Sequence, residues 1–133
     1  SDVYKRQEDI LQNKNDKSVI PSYMTPKKVS QLIEDGSFED LKILNNYLYT
    51  LFNKGIDGTV ISDVIDLNID FNEKLNYIID FALSTSKEGN SNIHPVRLSD
   101  FIQELSNFRE NLFEINSLNQ RYSLHHLLLR IPC

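Results

Sequence analysis

The stretch that decides the fold class is Ser37-Phe38-Glu39-Asp40-Leu41-Lys42-Ile43-Leu44-Asn45-Asn46-Tyr47-Leu48-Tyr49-Thr50-Leu51-Phe52-Asn53-Lys54, closed by Gly55. Phe38, Leu41, Leu44, Leu48, Leu51 and Phe52 recur three or four residues apart, with Tyr47 beside them. An α-helix repeats every 3.6 residues, so this spacing gathers the apolar side chains into one stripe over about five turns. A strand would need alternation with period two, which is absent. Ser37 followed by Asp40 predicts a shortened capping box at the start. Lys54 and then Gly55 predict the stop: a cation near the exposed carbonyls, followed by a residue free to turn left-handed.

The same grammar extends in both directions. Thr25-Pro26 predicts a helix start upstream, with Val29, Leu32 and Ile33 as its inner face and Gly36 as its end. Downstream, Ile56-Asp57-Gly58 is a turn and Thr59 is the expected cap of a short helix carrying Val60, Ile61, Val64 and Ile65. That β-branched run is also compatible with a strand. Asp70 or Asn68 caps a helix to about Ser86, with Phe71, Leu75, Ile78, Ile79, Ala82 and Leu83 inward, before a loop from Lys87 to Asn92. His94-Pro95 opens a helix to about Ile115, with Leu98, Phe101, Ile102, Leu105, Phe108, Leu112 and Phe113 on its stripe. A last helix, Leu118 to Ile131, aligns Leu118, Tyr122, His125, Leu128 and Leu129, and Pro132 ends it. The fold class is therefore all-α: a five- to six-helix bundle or orthogonal helical array.

The helical domain occupies 25–133. Residues 8–24 are polar apart from a few aliphatic side chains and read as a linker or the remnant of an upstream domain. Residues 1–7, Ser-Asp-Val-Tyr-Lys-Arg-Gln, look like the translation of a transposon end used in sequencing libraries. The expectation is an adapter artefact, and with it a fragment whose natural start lies upstream.

The 133 residues suffice for one domain, and 40% hydrophobic with 25% charged residues permits a buried core. A net charge of −5 argues against nucleic-acid binding through general positive charge, and Lys27-Lys28 is the only basic pair considered. With one cysteine, Cys133, no disulfide framework forms within the chain, so a cytoplasmic location is the expectation. No apolar run reaches the roughly 18–20 residues of a membrane span, and no membrane partner is expected.

Chemistry is hard to find. His125 and His126 are adjacent and point roughly 100° apart on a helix, and His94 is remote in sequence, so no metal is expected. Asp57, Asp63, Asp66 and Asp70 read as helix caps and solvated acids. The run from Asp66 to Tyr77 fails as a calcium loop, with Phe71 where Gly is needed and Tyr77 where Glu is needed. The four glycines are isolated, so no phosphate-cradling loop exists, and Asn119 and Arg121 offer only a weak anion signal at a helix start. No catalytic residue, no cofactor and no pocket of convergent polar groups is expected.

One resemblance adds to this reading. Leu32-Ile33-Glu34-Asp35-Gly36-Ser37-Phe38-Glu39-Asp40-Leu41, then Leu51-Phe52-Asn53-Lys54-Gly55-Ile56-Asp57, resembles the start of the C-terminal collar domain of DNA clamp-loader ATPases (replication factor C and the bacterial gamma/tau and delta type). Ser117-Leu118-Asn119-Gln120-Arg121-Tyr122-Ser123-Leu124, then Leu127-Leu128-Leu129-Arg130, looks like the last helix of that domain. The segments Lys87–Pro95 and Ile56–Phe71 depart from the pattern. The resemblance implies a non-catalytic oligomerisation domain that packs beside sister subunits in DNA replication, with ATP-binding motifs in upstream domains. It implies an apolar patch, for which Tyr47, Tyr49, Phe113 and Tyr122 are the aromatics to examine. Two other readings stay open: a helical protein–protein interaction domain of an unrelated regulatory or structural protein, and a helical accessory domain of an enzyme whose active site lies upstream.

Overall fold

The computed structural model describes residues 19–89 and 93–131. The adapter-like segment, the polar stretch before Val19, Asn90 to Asn92, Pro132 and Cys133 lie outside the described residues. Within them the chain is all-α, with six α-helices and one 3-10 turn: α1 Pro26–Asp35, α2 Ser37–Lys54, α3 Gly58–Asp66, α4 Phe71–Glu88, α5 Pro95–Glu110, the 3-10 turn Leu112–Glu114, and α6 Ser117–Leu129.

The α2 stripe folds as its spacing predicts. Leu44, Leu48 and Leu51 are completely buried, and Phe38, Leu41 and Phe52 nearly so. This helix packs against α1, α3 and α4, and Phe52 meets Phe81 of α4 and Phe101 of α5 edge-to-face, with ring centroids 5.2 and 6.2 Å apart. The remaining large contacts are α4 with α5 and α3 with α6, so every helix joins one core. Val19 and Pro21, read as linker from sequence, are buried against this core.

Helix starts follow local chemistry, with two corrections. The Thr25 hydroxyl accepts from Lys28 N at 3.2 Å, and the Asp70 carboxylate accepts from Glu73 N at 3.3 Å, as predicted. The cap of α3 is Asp57, which accepts from Thr59 N at 2.9 Å and Val60 N at 3.4 Å, rather than Thr59. A carboxylate satisfies two amides and favours the positive helix end, so Thr59 is drawn into the first turn. The Ser37–Asp40 box does not form. Gly36, at φ +77°, ends α1 and directly precedes α2, leaving Ser37 already helical with no side-chain cap bond. A one-residue connection has no room for an extended capping residue. Asp57→Ala should cost about 1 kcal/mol of stability by loss of the α3 cap; chemical denaturation followed by circular dichroism reads this directly.

The β-branched run is helical, not extended: Ile61, Val64 and Ile65 are buried at i, i+3, i+4. Lys74 is the buried charge that sequence did not foresee. Its side chain runs from α4 to the end of α3, where Nζ donates to Ile65 O at 2.8 Å and Leu67 O at 3.0 Å. Carbonyls at a helix C-terminus lack intrahelical donors, and an ammonium there meets both the hydrogen-bonding need and the negative dipole end. Burial, and then the nearby Arg121 guanidinium, lower its pKa from 10.5 to about 8, against the opposing pull of Asp66.

Three faces differ from expectation. The α5 helix stops at Glu110, and Asn111 Nδ2 donates back to Asn107 O at 3.0 Å. The 3-10 turn that follows changes the angular step per residue. Leu112 therefore goes inward while Phe113, placed on the stripe by sequence, is 84% exposed. In α6 the buried residues are Leu124 and Leu128, whereas Leu118, Tyr122 and Leu129 are exposed. Leu83 of α4 is also exposed rather than inward.

Candidate interaction surface

The last helix carries two apolar stripes. Taking 100° per residue, Leu118, Tyr122 and Leu129 fall within roughly 40° of one another, about 120° around the axis from the Leu124–Leu128 stripe. The rotation of the helix decides which stripe meets the core, and polar anchors set that rotation. Gln120 Nε2 donates to Leu112 O at 2.8 Å and Ile115 O at 2.9 Å. Arg121 Nη2 pairs with Asp66 Oδ1 at 2.7 Å, and its Nη1 reaches Ile65 O at 3.5 Å. Both residues lie on the same side of α6 as Leu124 and Leu128, so they turn that side to the core. The opposite result follows for the other stripe: Leu118 is 63% and Tyr122 61% exposed, and Phe113 sits in the turn that leads into the helix.

Of the four aromatics singled out, Tyr49, Phe113 and Tyr122 are exposed. Tyr47 is not part of an exposed set: it is half-buried and packed against the core from the flank of the α2 stripe. Tyr49 lies on α2 and lines a groove against α4, a feature separate in composition from the α6 stripe.

The acids have structural roles. Asp57 and Asp70 are caps, and Asp66 binds Arg121, which removes Arg121 from the weak anion site suggested by sequence. Lys28 of the basic pair bridges to Glu73 Oε1 at 2.7 Å, tying α1 to α4. The His125 and His126 rings stand 6.4 Å apart at 80°. Among the described residues no group of three or more His, Cys, Asp or Glu side chains converges on a metal position, and no buried side-chain polar atom lacks a partner. No helix among them is long and apolar enough to cross a membrane.

A concavity not anticipated from sequence lies between α2 and α4, with a volume of about 420 Å³. Neither His94 nor the acids from Asp57 to Asp70 line it. Its buried end is organised by Tyr77, whose hydroxyl donates to Val19 O and lies 3.2 Å from the Asn45 side-chain oxygen. Burial raises the Tyr77 pKa above its ordinary value, with Tyr23 and Asp80 adding to the shift. No signal in the sequence marks Tyr77 apart from its place beside Ile78 in a helix, because its partners lie 32 and 58 residues away.

No protein-family model matches this chain, and neither a curated protein nor a solved structure matches it.

Proposed function

We propose that this chain is a non-catalytic helical oligomerisation domain that packs side by side with other helical subunits through the outward stripe of α6. The observation that carries the reading is the second apolar stripe, Leu118, Tyr122 and Leu129, left in solvent while the helix is already anchored on its other side. A helix apolar on more than one face is ordinarily covered on more than one face. Phe113 and Tyr122 are of the residue type that dominates interface energetics, since a large rigid ring buries much area at little entropic cost.

The collar of a DNA clamp-loader ATPase is the specific form of this proposal. It rests on the resemblance of Leu32–Asp57 and Ser117–Arg130 to that domain, and α6 contains the second of those stretches. In that form the partners are sister subunits, the chain contacts no DNA itself, and ATP hydrolysis belongs to domains upstream in a cytoplasmic assembly.

Sedimentation equilibrium over the micromolar to millimolar range tests the reading. Concentration-dependent association is expected, weakened about 30-fold by Tyr122→Ala if this ring contributes the roughly 2 kcal/mol of an interface anchor. A chain that stays monomeric at the highest concentration overturns the oligomerising role. Association unaffected by Tyr122→Ala and Leu118→Asp moves the interface away from α6.

A further inference from the structure

The groove between α2 and α4 has a chemistry of its own. Its walls are aromatic, from Tyr49, Tyr77 and Phe81, and its charged groups are two carboxylates, Asp80 and Glu88. Among the described residues no Lys, Arg or His side chain lines it. Asp80 accepts from the Ser22 hydroxyl at 3.4 Å, and among the described residues its carboxylate has no cationic partner. Its negative charge reaches Tyr23, whose pKa is pushed up to about 12 by burial first and then by Asp80 and Glu73.

The Tyr77–Asn45 pair closes the buried end of the groove. A phenol hydroxyl has one proton, and both of its neighbours present oxygens: Val19 O and the Asn45 side chain at 3.2 Å. Val19 O is the nearer and takes the proton. Asn45 Oδ1 faces that hydroxyl, so Tyr77 and Asn45 form a neutral pair there. The groove thus offers carboxylate oxygens beside aromatic faces. Such a lining selects a donor that is positively charged and has an apolar stem.

We propose that this groove binds a small primary alkylammonium, with the ammonium at Asp80 and the alkyl stem along Tyr49 and Phe81. The volume of about 420 Å³ falls in the range of small-molecule sites. An ammonium has three N–H donors, enough for both oxygens of the Asp80 carboxylate, and a tyrosine face adds cation–π attraction. Lys54 and Lys87 neighbour lining residues in sequence, and both are exposed outside the lining, toward the far end. They weaken a cation there, so the ammonium belongs at the Asp80 end. The same chemistry is available from a free amine or from a lysine side chain.

The test is a titration of the whole chain with n-butylammonium at fixed ionic strength, followed by amide chemical shifts. Saturable shifts centred on Asn45, Tyr49, Asp80 and Phe81 are expected. Asp80→Asn should weaken binding about tenfold, the loss of one charged hydrogen bond, while Asp63→Asn on α3 should leave it unchanged. Thermal melts of both variants confirm that they fold. Non-saturable shifts, or equal weakening by both substitutions, mean attraction to the net charge of −5 and overturn the site. Spermidine and acetyl-lysine amide are then compared, and the tighter of the two identifies the source of the ammonium. Failure here leaves the α6 interface untouched, because the two rest on different residues.

Discussion

Leu48→Ala is expected to lower the free energy of unfolding by about 2–5 kcal/mol, a range that measured leucine truncations in cores define. Leu48 is completely buried at the middle of α2, between Leu44 and Leu51, which are also fully enclosed. Two effects add. The removed methyl groups lose their transfer energy, and the space they leave collapses only partly because neighbours on α1, α3 and α4 are held by their own contacts. A helical domain of this size has a total stability of about 5–15 kcal/mol, so the variant should approach the edge of folding. The contrast is Tyr122→Ser on the outward stripe, where a change within about 0.5 kcal/mol is expected for the monomer. Urea denaturation of both variants at low protein concentration decides the point. A small effect at Leu48 would mean that α2 is not the central helix.

Lys74→Met should destabilise the fold by about 1–3 kcal/mol at neutral pH, in spite of replacing a buried charge with an apolar side chain. The reason is geometric. Methionine fills the volume, but Ile65 O loses its donor at 2.8 Å and keeps only the longer Arg121 contact at 3.5 Å, while Leu67 O loses a donor at 3.0 Å and keeps the Ile69 amide at 2.8 Å. Against this stands relief of the desolvation that lowers the Lys74 pKa to about 8. The loss of two charge-assisted bonds, with Ile65 O left to one long contact, outweighs that relief.

The same residue predicts a pH dependence with a definite sign. The folded chain releases the Lys74 proton near pH 8, whereas the unfolded chain holds it to about 10.5. Between these values the unfolded state carries more protons, so stability from this group rises with pH. The gap between wild type and Lys74→Met should therefore widen from pH 8 to 9.5. Above pH 10 the tyrosines act oppositely. Tyr77 and Tyr23 have raised values in the fold, so the unfolded chain loses those protons first and stability falls. Denaturation at pH 7, 8.5 and 9.5 measures the slope; a gap that narrows would contradict the buried ammonium.

Much of the fold was legible in sequence because helix formation here is local. The α2 stripe, the Thr25 and Asp70 caps and the inner face of α5 all depend on residues within one or two turns of each other. The weaker readings had local competition. Asp57 and Thr59 both suit a cap, and the carboxylate serves two amides where the hydroxyl would serve one. Ser37 has the right identity for a cap, but Gly36 leaves it no extended position.

The candidate surfaces were less legible. Tyr49, Phe113 and Tyr122 could be named from sequence as aromatics, yet nothing local separates them from Tyr47, which packs inward. The α6 sequence supports two apolar stripes, and the alignment read from periodicity mixed them: Leu128 lies inward, while Leu118, Tyr122 and Leu129 lie in solvent. Asn45, Tyr77 and Asp80 carry no motif at all, and only the approach of α2 to α4 brings them to one groove.

The sequence by itself determined that the chain is helical and where most helices begin and end, since backbone hydrogen bonding and capping are settled within a few residues. Tertiary structure decided which stripe of α6 is buried, through Gln120 and Arg121 reaching carbonyls and a carboxylate on other segments. It also placed Lys74 at the end of α3 and formed the groove beside Tyr77. Those outcomes depend on pairings between residues as far as 58 positions apart, and such pairings exist only once the helices have packed.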